Sequence, residues 1–168
     1  LYWGINYVHE RPDEDFCASY LGGDASEYDV IKNTSSGTEL VAGNLAAWNT
    51  ALSLATGALA NNAQYEALQQ YVNVDNLIDY MIVNQWVGND DWPHHNWYVV
   101  RKRAPGEGFR FIVWDAERVL KDVNINRTTI DATNSPAMIY NLLRNNAEFR
   151  LRFADHLQKH FFNGCLFY

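Results

Sequence analysis

The chain has 168 residues, 48% hydrophobic and 20% charged, which is enough apolar material for one compact core and too little charge for a disordered segment. Its formal charge of -7, with no dense Lys/Arg run, argues against a nucleic-acid backbone as partner and favours basic substrates or bound cations. No apolar run reaches the roughly 20 residues that a membrane-spanning helix needs.

The start, Leu1-Tyr2-Trp3-Gly4, has neither an initiator Met nor a signal-peptide layout and reads as the interior of a strand, so a longer parent chain is expected. Tyr2 to Val8 alternates aromatic or β-branched residues with small or polar ones, as a half-buried strand does. Pro12 then opens a short helix whose first turn carries Asp13-Glu14-Asp15 and which Gly22-Gly23 should end. Tyr28 to Lys32 reads as a second strand, and Asn33 to Gly43, rich in Thr, Ser and Gly, as a loop. Three helices follow: one opening at Asn44, one over about Ala63 to Tyr71, and a deeply buried one capped by Asp75 and carrying Leu77, Ile78, Met81 and Ile82.

After Gly88 the periodicity gives way to a polar loop, Asn89-Asp90-Asp91-Trp92-Pro93-His94-His95-Asn96. Trp97 to Val100 begins a strand, Ala104 to Gly108 is a turn, and Phe109 to Trp114 returns as the second strand of a hairpin with Asp115 at its end. Ser135-Pro136 starts a short helix, and Asn145-x-x-Glu148 is a capping-box pattern for a last helix ending near Gly164. Cys17 and Cys165 read as small buried hydrophobes, with a single long-range bridge left open. The sequons at Asn33 and Asn126 matter only in a eukaryotic secreted protein. Trp48, Trp86, Trp92, Trp97 and Trp114 are read as core and wall residues rather than a sugar-stacking platform.

A tight hairpin brings its two ends together, which sets Asn96 beside Asp115 and the loop carboxylates beside both. Oxygen ligands converging at a sheet end suit a hard cation such as Mg2+. Asp91 precedes Asn96 by five positions, the interval between the catalytic Asp and the metal-binding Asn of the protein-kinase catalytic loop, and a hairpin separates that Asn from the next metal-binding Asp, as here. Each feature alone is weak, and their order is more specific.

The segments Glu10-Arg11-Pro12-Asp13-Glu14-Asp15-Phe16, Tyr28 to Asn33, Gly88-Asn89-Asp90-Asp91-Trp92-Pro93-x-x-Asn96-Trp97 and Trp114-Asp115-Ala116-Glu117-Arg118 look like successive signatures of the CotH family of spore coat kinases. That resemblance covers roughly positions 2 to 120. It implies an α+β, protein-kinase-like core spanning 1–168, with 1–33 as the remnant of a truncated nucleotide lobe and 44–168 as a mostly helical catalytic lobe carrying a small antiparallel hairpin. By the same resemblance Asp91 is the catalytic base, Asn96 and Asp115 hold Mg2+ or Mn2+, ATP is co-substrate, and a protein Ser or Thr hydroxyl is the acceptor. Glu10 and Lys32 are the candidate nucleotide-binding residues, each with a plain surface or capping role as alternative. The resemblance further implies a spore coat, cell-surface or secreted location.

The departures from general kinases are Asn89-Asp90 in place of His-Arg before the catalytic Asp, Ala116-Glu117 in place of Phe-Gly after the metal Asp, and the lack of a Gly-rich phosphate loop. Other readings remain open: transfer of AMP from the same nucleotide site, a non-catalytic adhesion module, or a glycosidase using two of Asp90, Asp91, Asp115 and Glu117. A zinc or iron site at His94 and His95 is disfavoured because adjacent imidazoles rarely reach one metal.

Overall fold

Strand-forming residues at 28–34 and 97–102 alternate between two apolar surroundings, and this double alternation organises the molecule. The structure, a computed structural model, describes residues 9–162; the expected strand at Tyr2–Val8 and Cys165 lie outside them. In chain order the elements are α1 (Glu14–Leu21), β1 (Tyr28–Thr34), β2 (Gly37–Ala42), α2 (Ala46–Ala55), α3 (Asn62–Gln69), α4 (Val74–Trp86), β3 (Trp97–Lys102), β4 (Arg110–Val113), α5 (Pro136–Leu143) and α6 (Ala147–Phe162). The α+β class is as expected. None of these helices is long and apolar enough to cross a membrane.

The four strands form one antiparallel sheet in the order β2-β1-β3-β4, larger than the isolated hairpin expected. Asn33 to Gly43 is therefore not a loop: its second half is β2, paired to β1 with Lys32 opposite Glu39. Its Thr- and Ser-rich composition reflects an exposed edge strand, not irregular chain, and the Lys32–Glu39 ion pair at 2.8 Å crosses the pairing. Strand β1 also pairs with β3, Asn33 opposite Trp97, so a single sheet runs through both expected segments of the domain.

Residues of β3 alternate by face. Trp97 and Val99 join Ile31, Phe109 and Phe111 in the main core under α2 to α6, while Tyr98 and Val100 join Tyr28, Val30 and Cys17 under α1. Trp48 of α2 lies against Trp97, Phe109 and Phe111, with ring centroids 5.8, 5.3 and 6.5 Å away. Trp92 and Trp97 are fully buried too, but Trp86 is half exposed, against the expectation of a core role. Burial pushes the Cys17 thiol up to about 12, so it behaves as the small hydrophobe expected.

Local caps are partly as expected. Asp13 Oδ1 accepts from Phe16 N at 3.0 Å, and Ser135 Oγ accepts from Met138 N at 3.2 Å with Pro136 at the first helical position. Asn73, not Asp75, caps α4, its side chain accepting from Asn76 N at 3.0 Å. Asn146, not Asn145, takes that part at α6, accepting from Phe149 N at 3.1 Å. An Asn at each cap competes with a neighbouring acid or amide, and burial of Asn146 against Leu59 O (2.9 Å) decides the register there.

The outer edge of β4 is stitched to the junction of α3 and α4. Phe109 N donates to Tyr71 O at 2.7 Å, Asn73 N to Phe109 O at 3.0 Å, and Phe111 N to Asn76 Oδ1 at 2.5 Å. The crossing is so close that a β-carbon on Gly108 would lie 2.5 Å from Asn73 N, which is why glycine stands there.

One buried carboxylate ties the sheet to the helical layer. Asp29 of β1, 1% exposed, accepts from Asn44 N at 2.9 Å ahead of α2 and from Arg103 Nη1 at 2.9 Å after β3. Removing it takes the carboxylate partner from Arg103, which keeps its bonds to the Tyr28 and Ser26 carbonyls, and the acceptor from the Asn44 amide, so Asp29→Ala should lower stability by about 3 kcal/mol. A shift of the urea midpoint at unchanged m-value is the measurement that checks this.

Candidate active site at the end of the sheet

The loop after α4 is held by amides and indoles, not by apolar packing alone. Gly88 turns the chain with φ 60°, and the buried Asn89 donates through Nδ2 to Asn84 Oδ1 at 2.9 Å and through its backbone N–H to Asn84 O at 3.1 Å. Asn84 Nδ2 in turn donates to Tyr80 O at 2.9 Å. Trp92 Nε1 donates to the Tyr80 hydroxyl at 2.6 Å, and Trp97 Nε1 to Pro93 O at 3.2 Å. The Trp92–Pro93 bond is cis. These contacts hang the loop from the last turns of α4.

Adjacent acids in this loop have opposite environments. The Asp90 carboxylate accepts from Arg118 Nη2 at 2.5 Å and from Arg127 Nη2, with Lys121 Nζ at 3.9 Å, and its backbone accepts from Arg127 at 2.9 Å. The Arg118 hydrogen bond holds its carboxyl below the usual carboxylate range, despite some desolvation. Asp90 is thus a structural anchor. Asp91 has no comparable partner: Oδ1 is buried without a hydrogen bond, while Oδ2 faces His95 Nε2 at 3.8 Å and Arg118 Nε at 3.9 Å.

Asn96 and Asp115 flank the last ladder pair, Trp97 opposite Val113, at the mouth of the β3–β4 hairpin. Both have left-handed backbones, φ 62° and 51°, a conformation Asn and Asp tolerate better than most residues. The Asn96 N–H donates to Asn33 O at 3.0 Å, which fixes this end of β3 to β1. The Asp115 carboxyl is raised, first by a hydrogen bond with Glu117, then by desolvation and the negative charges of Glu117 and Asp91; His95 opposes the shift. Glu117 is lowered, chiefly by its own backbone N–H and then by Asp115. The two carboxyls interact, the Asp115 group shifted up and the Glu117 group down.

Two clefts open beside these residues. One, of about 430 Å3, is lined by Glu10, Phe16, Ile112, Asp115 and Glu117; the other, of about 410 Å3, by Arg11, Lys32, Thr34, Asn96 and Tyr98. His9 and Trp114 line both, with ring centroids 5.2 Å apart. Glu10 and Lys32 therefore stand in different clefts, and each already has a partner: Tyr20 Oη donates to Glu10 Oε2 at 2.6 Å, and Lys32 pairs with Glu39.

Sequence reasoning did not find the Asp115–Glu117 interaction or the Arg118–Asp90–Arg127 clamp. Arg118 sits inside the 114–118 segment already singled out, but Arg127 lies in a polar stretch with no pattern to mark it. His94 and His95 belong to no group of three potential ligands among the described residues.

The oxygens that could hold a divalent cation at this end of the sheet are the buried Asp91 Oδ1, which has no hydrogen bond among the described residues, the Asn96 amide, and the Asp115 carboxyl, raised first by its hydrogen bond with Glu117. The family described as CotH kinase protein matches residues 1–163. The chain belongs to this kinase family. Comparison with curated proteins and with solved structures gave no significant match.

The sign of the Asp115 shift gives a test. Its folded-state value lies above the unfolded one, so the associated stability is fully present below the unfolded carboxylate range and is lost as pH rises through the raised value. Asp115→Asn keeps the left-handed backbone and removes the repulsion. Without divalent cation, this variant should melt above the parent protein at pH 7, the gap closing as pH falls through the Asp115 value; thermal unfolding followed by circular dichroism reads both.

Proposed function

We propose that the chain is the core of a kinase-like domain that transfers the γ-phosphoryl group of ATP to a Ser or Thr hydroxyl of a protein. The observation that carries this reading is the unpartnered, buried Oδ1 of Asp91 beside the charge-burdened Asp115 and the hairpin-end Asn96. Family membership over residues 1–163 supports the reaction class.

Asn96 and Asp115 would hold Mg2+ or Mn2+ through an amide and a carboxylate oxygen, with the raised Asp115 carboxyl exchanging a proton for the cation. When bound, the cation neutralises charge spreading over the transferred phosphoryl oxygens. Asp91 aligns the acceptor hydroxyl with the γ-phosphorus and takes its proton as the new O–P bond forms and the bond to the β-phosphate oxygen breaks, leaving ADP. Asp90, clamped by Arg118 and Arg127, keeps the neighbouring Asp91 in place. Glu10 and Lys32 serve the nucleotide from the two clefts that His9 and Trp114 join. Residues 1–33 act as the nucleotide side and 44–168 as the catalytic side of the same domain. The sequence resemblance to spore coat kinases makes a coat or other surface protein the proposed substrate.

Parent protein incubated with labelled ATP, Mg2+ or Mn2+ and a Ser/Thr-rich protein should incorporate label, and Asp91→Ala should slow incorporation by about 10² to 10⁴-fold. Asn96→Ala and Asp115→Asn should shift the metal dependence to higher concentration. Full activity in Asp91→Ala would refute the base assignment. Intact mass of the product separates phosphoryl from adenylyl transfer, and adhesion without ATP consumption, insensitive to Asp115→Asn, would mark a non-catalytic module.

A further inference from the structure

Helices α4 and α6 carry a second group of metal-ligand side chains on different elements from the site above. His156 and His160 stand one turn apart on one face of α6, and both imidazoles aim at the same carboxylate oxygen of α4: Asp79 Oδ1 lies 2.6 Å from His156 Nδ1 and 2.8 Å from His160 Nε2. The three ligand atoms all fall within 4.8 Å of one another. Tetrahedral ligands at metal distances of about 2.0–2.1 Å are separated by roughly 3.3 Å, so a modest rearrangement of the three side chains converts the cluster into a coordination shell. The imidazoles are largely withdrawn from solvent, 15% and 17% exposed, while Asp79 is 42% exposed and leaves a side open to water.

The outer contacts of His156 suit a metal ligand. Its Nδ1 faces Asp79 and its Nε2 faces Asp75 Oδ1 at 3.1 Å, so both ring nitrogens meet carboxylate acceptors. A neutral imidazole has one N–H and can satisfy only one of them, whereas an imidazolium would satisfy both as a plain ion-pair clamp. A metal on Nδ1 removes the conflict, because Nε2–H then donates to Asp75, the carboxylate–histidine–metal relay that orients a ligand ring. Asp75 is itself fixed by Arg152, at 2.5 Å from Nε and 2.6 Å from Nη2, and Arg152 is braced by Gln69 Oε1 at 2.8 Å.

We propose that Asp79, His156 and His160 bind a borderline transition-metal dication, zinc first, with water completing a tetrahedral shell and Asp75 as the outer carboxylate. Two imidazoles and one carboxylate suit zinc, whereas the oxygen set of Asp91, Asn96 and Asp115 suits Mg2+; the two sites are chemically distinct. Such an ion would tie α6 to α4, the helix from whose far end the loop carrying Asp91 hangs. This inference stands independently of the phosphoryl-transfer reading.

Tag-free parent chain, stripped with chelator, should bind one equivalent of Zn2+ by calorimetry, and Co2+ in its place should give the visible absorption of a tetrahedral nitrogen–oxygen site. His160→Gln and Asp79→Asn should each weaken zinc binding by about a hundredfold or more, and Asp75→Asn by about ten- to a hundredfold. Zinc should raise the melting temperature of the parent and not of His160→Gln; metal-free melting curves establish first that each variant folds. The cobalt spectrum of the parent reads the site without any substitution. Absence of zinc binding, with both His156 nitrogens protonated in the NMR spectrum at pH 7, would reduce the cluster to an imidazolium–carboxylate clamp and overturn the proposal. Binding that survives His160→Gln but is lost in His95→Gln would place the metal elsewhere and overturn it equally.

Discussion

The site depends on the clamp that Arg118 and Arg127 close around Asp90. Two neighbouring carboxylates in one loop compete for the same cations, and whichever takes them becomes structure while the other stays available. Here Asp90 takes both guanidinium groups on its carboxylate, its carbonyl also accepts from Arg127, and its N–H donates to the Arg118 carbonyl, which fixes the loop on both sides of the peptide. Asp91 is left with a buried oxygen that no group among the described residues satisfies. An unpaired acceptor of this sort costs of order 1–3 kcal/mol, and the arginine contacts next door hold the chain in the conformation that bears that cost.

The hairpin at 97–114, the helices and the order of acidic and amide residues were legible because turn chemistry and apolar periodicity are local. Trp97 to Val100 alternates, the Ala104–Gly108 segment turns, and Asp115 follows the return strand. Edge strand β2 was illegible for the opposite reason: an edge facing solvent has no apolar alternation to reveal it, and Thr, Ser and Gly are common to loops and exposed strands alike. Caps slipped where two candidates stand close together, as Asn73 and Asp75 do, since only the fold decides which backbone amide comes within reach.

Electrostatic facts were less visible still. Nothing in Trp114-Asp115-Ala116-Glu117 says that the two carboxyls shift each other in opposite directions, because that depends on the left-handed turn at Asp115. Similarly, His156 and His160 declare their common face through their spacing, but Asp79 lies 77 positions upstream of His156 and joins them only when α6 packs on α4. Convergence of side chains from separate helices has no sequence signature short of the fold itself.

The stitching of β4 to the start of α4 has a mechanical consequence. Asn76 in the first turn of that helix grips Phe111, two residues from the end of the strand leading to Asp115, while the last turns of the same helix suspend the loop bearing Asp91. The two acids are therefore mounted on one beam. A tilt of α4 would carry both along, which would help to keep the spacing between the proposed base and the proposed cation ligand when the surrounding helices move.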